Sequence, residues 1–511
     1  MKKTDKLILT VNAALSNKYG AECVEILSML KAAAAADTKK GLKTQVVFLD
    51  DRSSFGGLKI KPLNPKKASE KDYKNIIDTF YKLLNPDYIV LFGAVDIIPQ
   101  QKLNNLLYHV DGDDDRWIPS DMPYACNEPY SKDPNKFCSP VRVIGRLADI
   151  NGIKDMDLMR TMMKNTSGFK TKTRAAYQSY FGVSADKWKL STEKSLELAF
   201  GGPANCKMVP PAGPAWKKLQ LKPLSHFYNC HGALSTPTWY GQKGNSYPEA
   251  LNSINLIGEV KKNTVVAAEC CYGAQLYKPV KNDLPDSMPI CNTYFKNGAI
   301  AFLGSSTIAY GPAATNDQAD LLTQYFFMLI LGGASTGRAL LEARQKYILN
   351  HGPDLSPTDL KTICQFYLLG DPSIQPVADQ KEVQRKSLGI IQKKQYSDDS
   401  RKERRKYLLS KGTALAGFVN RIEKGKKSSY RSSAASVKKV LNSFSMRQPI
   451  GRTFIIMQNS QNKKTFRNSE MLKSSYQIYT EKKSGNDFSQ KLLSIKELNG
   501  KIVNVQLYAR R

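Results

Sequence analysis

Two stretches decide how this chain is read: Ser225-His226-Phe227-Tyr228-Asn229-Cys230-His231-Gly232, and further on Thr264-Val265-Val266-Ala267-Ala268-Glu269-Cys270-Cys271-Tyr272-Gly273. Each is a short β-type run that stops at a glycine, and each carries a reactive side chain at its tip. Working outward, the runs Lys6–Val11, Thr44–Leu49, Tyr88–Phe92, Val141–Ile144, Ala176–Val183 and Ala299–Leu303 also read as strands. Between them lie helix-type stretches at Ala21–Ala36, Asp72–Leu84, Asp155–Asn165, Glu193–Phe200 and Asp317–Leu331. Alternation of this kind predicts an α/β fold of mostly parallel sheets flanked by helices. Reactive groups are then expected in loops just past the carboxyl ends of strands, which is where both glycine-ended tips fall.

The remaining composition narrows the class. The chain has 511 residues, 41% of them hydrophobic, with a net charge of +31. That is globular composition with room for several cores. The most apolar stretches, such as Tyr325–Ala334, fall well short of the ~18 residues a spanning helix needs. The opening Met1–Lys6 is basic, but its apolar sequel ends at Asn12 without a small-residue cleavage site, so it reads as a first strand rather than an export signal. Nine cysteines, an odd number without paired Cys-x-x-Cys spacing, make neither a disulfide framework nor a zinc site. A reducing, cytoplasmic compartment is therefore expected, with any special cysteine catalytic. No phosphate-loop spacing and no fixed-period repeat is present.

The charge is divided unevenly. Residues 381–511 hold 31 Lys+Arg and 9 Asp+Glu, a net +22, while the first 380 residues carry only +9. Three units are expected: an N-terminal α/β subdomain (1–155), a catalytic α/β subdomain (156–380) and a small basic α+β appendage (381–511). Within the appendage, 402–444 has helical spacing and Thr453–Met457, Tyr476–Tyr479 and Ile502–Tyr508 read as strands. Such basicity fits a solvated face, or a footprint for an acidic partner or nucleic acid, although no base-reading motif is present.

His231 at one strand tip and Cys270-Cys271 at the other are the ingredients of a Cys–His pair. The imidazole takes the thiol proton, and the thiolate attacks a carbonyl carbon. Gly232 lets the backbone approach closely, so that its N–H and that of the cysteine can hold the developing oxyanion. Alternation along a strand turns successive side chains to opposite faces, so Cys270 and Cys271 cannot both meet His231, and Cys230 should face away from it. His351, by contrast, ends a helix at Gly352.

Strand–His–Gly followed by strand–Cys resembles the cysteine peptidases grouped with caspases, legumains and gingipains. Four further segments are similar to gingipains in particular: Tyr88–Pro99, Val143-Ile-Gly-Arg-Leu147, Gly304-Ser-Ser-Thr-Ile308 and Tyr367-Leu-Leu-Gly-Asp-Pro-Ser-Ile374. They fall in gingipain order, and the resemblance covers residues 6–376. It implies two caspase-like subdomains side by side, the second catalytic, in an endopeptidase that cleaves after Arg or Lys through an acyl-enzyme. Glycine three residues after the nucleophile, the gingipain pattern, selects Cys270; glycine two residues after, the caspase pattern, selects Cys271. Cys270 is the expected nucleophile and Cys271 the alternative.

The same resemblance makes Asp186 the carboxylate that orients His231, Glu193 the acid at the base of an arginine pocket, and Tyr310 a wall of that pocket. Glu193 reads equally well as an acid near a helix start. The run Asp111-Gly-Asp-Asp-Asp115 suits calcium but lacks the full EF-hand pattern, so no cofactor is expected. A protein or peptide is the expected substrate. The alternative is a peptidase fold without activity that works through the basic appendage on an acidic partner or nucleic acid. If the enzyme cuts after basic residues, Arg401–Lys406 is also a candidate for self-cleavage.

Overall fold

The computed structural model describes residues 4–108, 113–280, 284, 286–378, 398–429, 435–446, 449–457, 474–480, 491–498 and 501–511. The predicted α/β architecture is present, with the two sets of strands joined into one sheet of ten. Its spatial order is Thr44–Phe48, Lys6–Thr10, Tyr88–Phe92, Val143–Leu147, Phe366–Gly370, Ala301–Ser305, Val265–Ala268, Ser225–Asn229, Tyr180–Ala185 and Cys206–Val209. Neighbours pair in parallel except Ala301–Ser305 with Phe366–Gly370. That single reversal turns the two halves head to tail, so the carboxyl ends of the strands carrying His231 and Cys270-Cys271 open on the opposite edge from those of the first half.

The seam between the halves explains two of the glycine-bearing segments. A Cβ at Gly145 would overlap the Gly370 carbonyl oxygen, so only glycine lets the two strands approach. Arg146, fully buried beside the seam, is neutralised by Asp121 at 2.6 Å and donates to the carbonyl of Ile98 at 2.7 Å. A buried guanidinium left without such partners would be strongly destabilising. Lys6, two strands away, is held by Asp371 and by Asp37 at 2.7 Å. The Gly-Asp-Pro-Ser segment is thus a structural joint.

Helices cover the sheet as the sequence pattern requires. Glu70–Leu84 starts on a Ser69–Asp72 capping box and buries Tyr73, Ile76, Ile77, Phe80 and Tyr81, a stripe spaced at three and four residues. Each such apolar side chain removed from water contributes about 1.5–3 kcal/mol before entropy is counted. One expected strand is displaced: Arg174–Gln178, rich in helix-forming Ala175 and Ala176, is a short helix, and the strand begins at Tyr180.

The basic C-terminal part contains the helix Asp398–Phe418 and a six-stranded antiparallel sheet in the order Tyr310–Gly311, Lys501–Arg510, Lys491–Leu498, Ser474–Thr480, Ile450–Met457 and Arg421–Ser429. Helical spacing over 402–444 is therefore only partly realised: Arg421–Ser429 is a strand, and a second helix is Ala435–Ser443. Phe454, Tyr476, Ile478, Leu492 and Tyr508 share one buried cluster with Ile308, Phe327 and Leu360 of the preceding region. The C-terminal sheet is thus built into the core of the second half. Its edge strand, Tyr310–Gly311, belongs to the loop that follows Ala301–Ser305, next to the tips where His231 and Cys271 lie. The run Arg401–Lys406 lies within the long helix, and Arg405 bonds the Asn85 carbonyl of the first half. No helix among the described residues is long and apolar enough to cross a membrane.

Candidate active site

Alternation along the paired strands Ser225–Asn229 and Val265–Ala268 sorts the reactive residues onto two faces. Tyr228, Cys230, Val266, Ala268 and Cys270 belong to one buried cluster, whereas Phe227, Val265, Ala267 and Cys271 belong to the other. Burial and the adjacent Cys230 push the Cys270 thiol well up. Cys271 sits on the second face, where its Sγ accepts from the Ala309 N–H at 3.3 Å. Burial raises its thiol too, while Arg510 and the Ala309 N–H favour the thiolate. Asn229 and Glu269, two residues before His231 and Cys271, share that second face and turn toward Asp320 and Thr323 of the helix Ala319–Leu331.

His231 is fully buried, and its environment fixes one tautomer. Its Nε2–H donates to Gln242 Oε1 at 2.8 Å, and Gln242 is anchored in turn by donating to the Gly244 carbonyl and the Tyr247 hydroxyl. The nitrogen that accepts a proton is then Nδ1. The ring packs on Trp188, centroid to centroid 4.4 Å, and burial pushes its pKa down to about 3, so it rests neutral. Asp186, expected to orient the imidazole, lies 3.8 Å from Lys243 Nζ in a short 3-10 turn, and the acceptor beside Nε2 is the Gln242 amide. Gly232 is required where it stands: a Cβ there would overlap the Cys271 carbonyl oxygen and lie 3.4 Å from Cys270 Cβ.

Beside these tips is an acidic pocket, and it holds Arg511. Its guanidinium Nη2 lies 2.6 Å from Asp320 Oδ2 and donates to the Pro312 carbonyl at 3.1 Å. Nη1 donates to Asn229 Oδ1 and lies 3.8 Å from Glu269 Oε2. The plane rests on Trp188 at 4.6 Å, a cation–π contact, and a Cβ on Gly311 would overlap the guanidinium. Burial and the neighbouring Asp320 push the Glu269 carboxyl well up; burial raises Asp320 too, against the lowering pull of Arg511.

The backbone of the same segment is held just as fully. Arg511 N–H donates to the Ala309 carbonyl at 3.1 Å, and the Arg511 carbonyl oxygen accepts from the Cys271 N–H at 3.3 Å. Arg510 and Ala509 pair antiparallel with Tyr310 and Gly311. Glu193, expected at the pocket base, instead lies 4.0 Å from Lys189 on its own helix. The Tyr310 side chain is directed away from the arginine: its hydroxyl donates to Asp113 at 2.9 Å, and its backbone forms the cleft edge. Asp113 and Asp115 pair with Lys361 at 2.5 and 3.1 Å; Asp111 lies outside the described residues.

Several residues of this site escaped the sequence reading. Asn229 and Glu269 were legible in principle, each standing two positions before a reactive tip. Trp188, Gln242, Asp320 and Arg511 come from distant segments and carry no local signal.

Residues 227–377, which hold both tips and the Gly-Asp-Pro-Ser joint, match the family model described as peptidase family C25. No curated protein matches the chain. Among solved structures, the crystal structure of the Arg-specific cysteine proteinase gingipain R matches with a TM-score of 0.49 and 10% identity, over 99% of this chain and 98% of that one. Residues 227–377, the stretch carrying His231, Cys270 and Cys271, are thus similar to peptidase family C25.

Proposed function

We propose that the protein is an endopeptidase that cleaves after arginine, with Cys271 as nucleophile and His231 as its proton carrier. The observation that carries this reading is the seating of Arg511: acidic pocket around the guanidinium, carbonyl oxygen on the Cys271 N–H, backbone paired along Tyr310–Gly311. These are the three contacts that the residue on the acyl side of a scissile bond needs, and an extended peptide added to a sheet edge is a common recognition mode. The shared face of Asn229, Glu269 and Cys271 supports Cys271 over Cys270, whose side chain packs beside Cys230.

In this reading His231 Nδ1 takes the Cys271 proton as the sulfur attacks the scissile carbonyl carbon. The oxyanion is held by the Cys271 N–H, with the Gly232 N–H as the second donor. The imidazolium then protonates the leaving amine, leaving a thioester that water hydrolyses with His231 as base. Gln242 keeps the ring in the Nδ1-accepting tautomer by taking the Nε2–H. Lysine, too short for the Asn229–Asp320 fork and unable to stack on Trp188 as a plane, should be the poorer substrate.

The test is turnover of fluorogenic peptides ending in Arg, Lys, citrulline or Asp, with Cys271→Ala and Cys270→Ala compared. Cys271→Ala should lose more than a thousandfold, whereas Cys270→Ala should stay within about tenfold of wild type. The opposite pattern would return the nucleophile to Cys270, and full activity in both variants would end the mechanism.

A further inference from the structure

We infer that the chain inhibits itself: residues 509–511 lie in the cleft as the acyl half of a bound substrate would, and a true substrate must displace them. This rests on the reading of the cleft given above, but goes beyond it by assigning the occupant a regulatory role. Arg511 is fully buried and Arg510 nearly so, although both belong to a strongly basic segment that water would ordinarily solvate. The burial of Arg511 is compensated inside the cleft: Asp320, Glu269 and Asn229 take the guanidinium, and Ala309 and Cys271 take the backbone. Ala509 closes the stack by packing with Ala185 and Trp188.

The occupant also lies against the reactive groups, its carbonyl oxygen on the Cys271 N–H. Trp188 touches both the Arg511 guanidinium, at 4.6 Å, and the His231 ring, at 4.4 Å, so the occupant and the imidazole share one indole wall. Burial is the main cause that keeps His231 neutral, and Lys187, Arg511 and Arg510 add to it. The preceding strand Lys501–Arg510 is anchored along its length by Lys491–Leu498, which keeps the final residues at the mouth of the cleft even when they lift away. Only residues 509–511 need to fray for the cleft to open, a local opening far smaller than unfolding the sheet.

The size of the effect follows from tethering. A short flexible tether presents its end at an effective concentration of about 1 mM, and peptide dissociation constants of ~10–100 µM would be ordinary for such a site. The cleft would then be occupied ~10–100 times more often than empty, and the apparent affinity for an added substrate reduced by the same factor.

The test uses the full-length protein and its Arg511→Ala and Arg511→Lys variants, with thermal unfolding as a control for folding. A fluorescein-labelled Ala-Arg-Arg peptide is titrated and followed by anisotropy, which needs no catalysis. The alanine variant should bind at least tenfold more tightly than wild type, with the lysine variant between them. Equal affinity in all three proteins, or binding to none, overturns the proposal. Turnover of an arginyl substrate is read in parallel, and KM should fall ~10–100-fold with kcat unchanged. Peptide binding restricted to the alanine variant, without turnover by any protein, would keep the docking and discard the peptidase reading. Equal binding with normal turnover would do the reverse.

Should Arg511→Ala unfold, the lysine variant carries the test alone, since it keeps the charge and loses only the fork.

Discussion

Asp320→Asn is the substitution whose consequence follows most directly from the geometry. Asp320 Oδ2 stands 2.6 Å from the guanidinium in a fully buried pocket. Removing one charge from a buried pair costs about 3–5 kcal/mol, because the remaining ion stays desolvated without its partner. Here a reserve exists: Glu269, 3.8 Å from the same guanidinium, has its carboxyl pushed well up by burial and by Asp320. With Asp320 neutral, Glu269 ionises more readily and returns part of the loss. The net should be about 2–3 kcal/mol, or ~30- to 150-fold in kcat/KM for an arginyl substrate. Asp320→Asn combined with Glu269→Gln has no reserve and should lose the full ~3–5 kcal/mol, several hundredfold or more.

The assay is kcat/KM on paired peptides with arginine or citrulline at the cleaved position, measured in the Arg511→Ala background so that loosening of the chain's own arginine does not offset the change. Citrulline keeps the shape and loses the charge, so its rate should move only a few-fold. In Asp320→Asn the arginyl rate should also recover as pH rises, because Glu269 must lose its proton to serve. Equal losses for arginine and citrulline, or an arginyl rate within threefold of the parent, would refute the assignment of Asp320 as the charge that selects arginine.

Two further expectations concern the strand tip and the periphery. Gly232→Ala forces a methyl onto the Cys271 carbonyl and should lower turnover at least a hundredfold, by displacing the oxyanion donors, while the far-ultraviolet circular dichroism stays native; turnover within threefold would show that the tip can yield. His351, bonded to Asp317 at 2.6 Å, stacked on Tyr347 and near Asp359, has its pKa raised to about 9. A raised pKa means the native state holds the proton more tightly, so the stabilisation is complete below about 6.5 and lost as pH climbs through 9. Urea unfolding should therefore show wild type losing up to about 3 kcal/mol over that window relative to His351→Gln, and parallel curves would exclude the charged pair.

The alternation of apolar runs and amphipathic stretches determined the α/β class, because burial on both faces of a parallel sheet demands it wherever the strands finally lie. The same local physics marked His231 and the Cys270-Cys271 pair, since a strand that stops at glycine is readable from a few residues. The period of two also separates the cysteines: Cys271 lies on the face of Phe227, Val265 and Ala267, and Cys270 on the face of Tyr228 and Cys230. What the sequence could not supply were partners that no periodicity links. Gln242 rather than Asp186 stands at His231, because the loop after Thr238–Tyr240 folds back over the ring. Asp320 and Trp188, rather than Glu193 and Tyr310, receive the arginine, because helix starts on neighbouring elements converge only when the sheet has formed. The +22 of the last 131 residues looked like a surface charge. Only the tertiary structure carried Arg511 into its pocket, where the buried carboxylates of Asp320 and Glu269 offset a desolvation that no local stretch of sequence records.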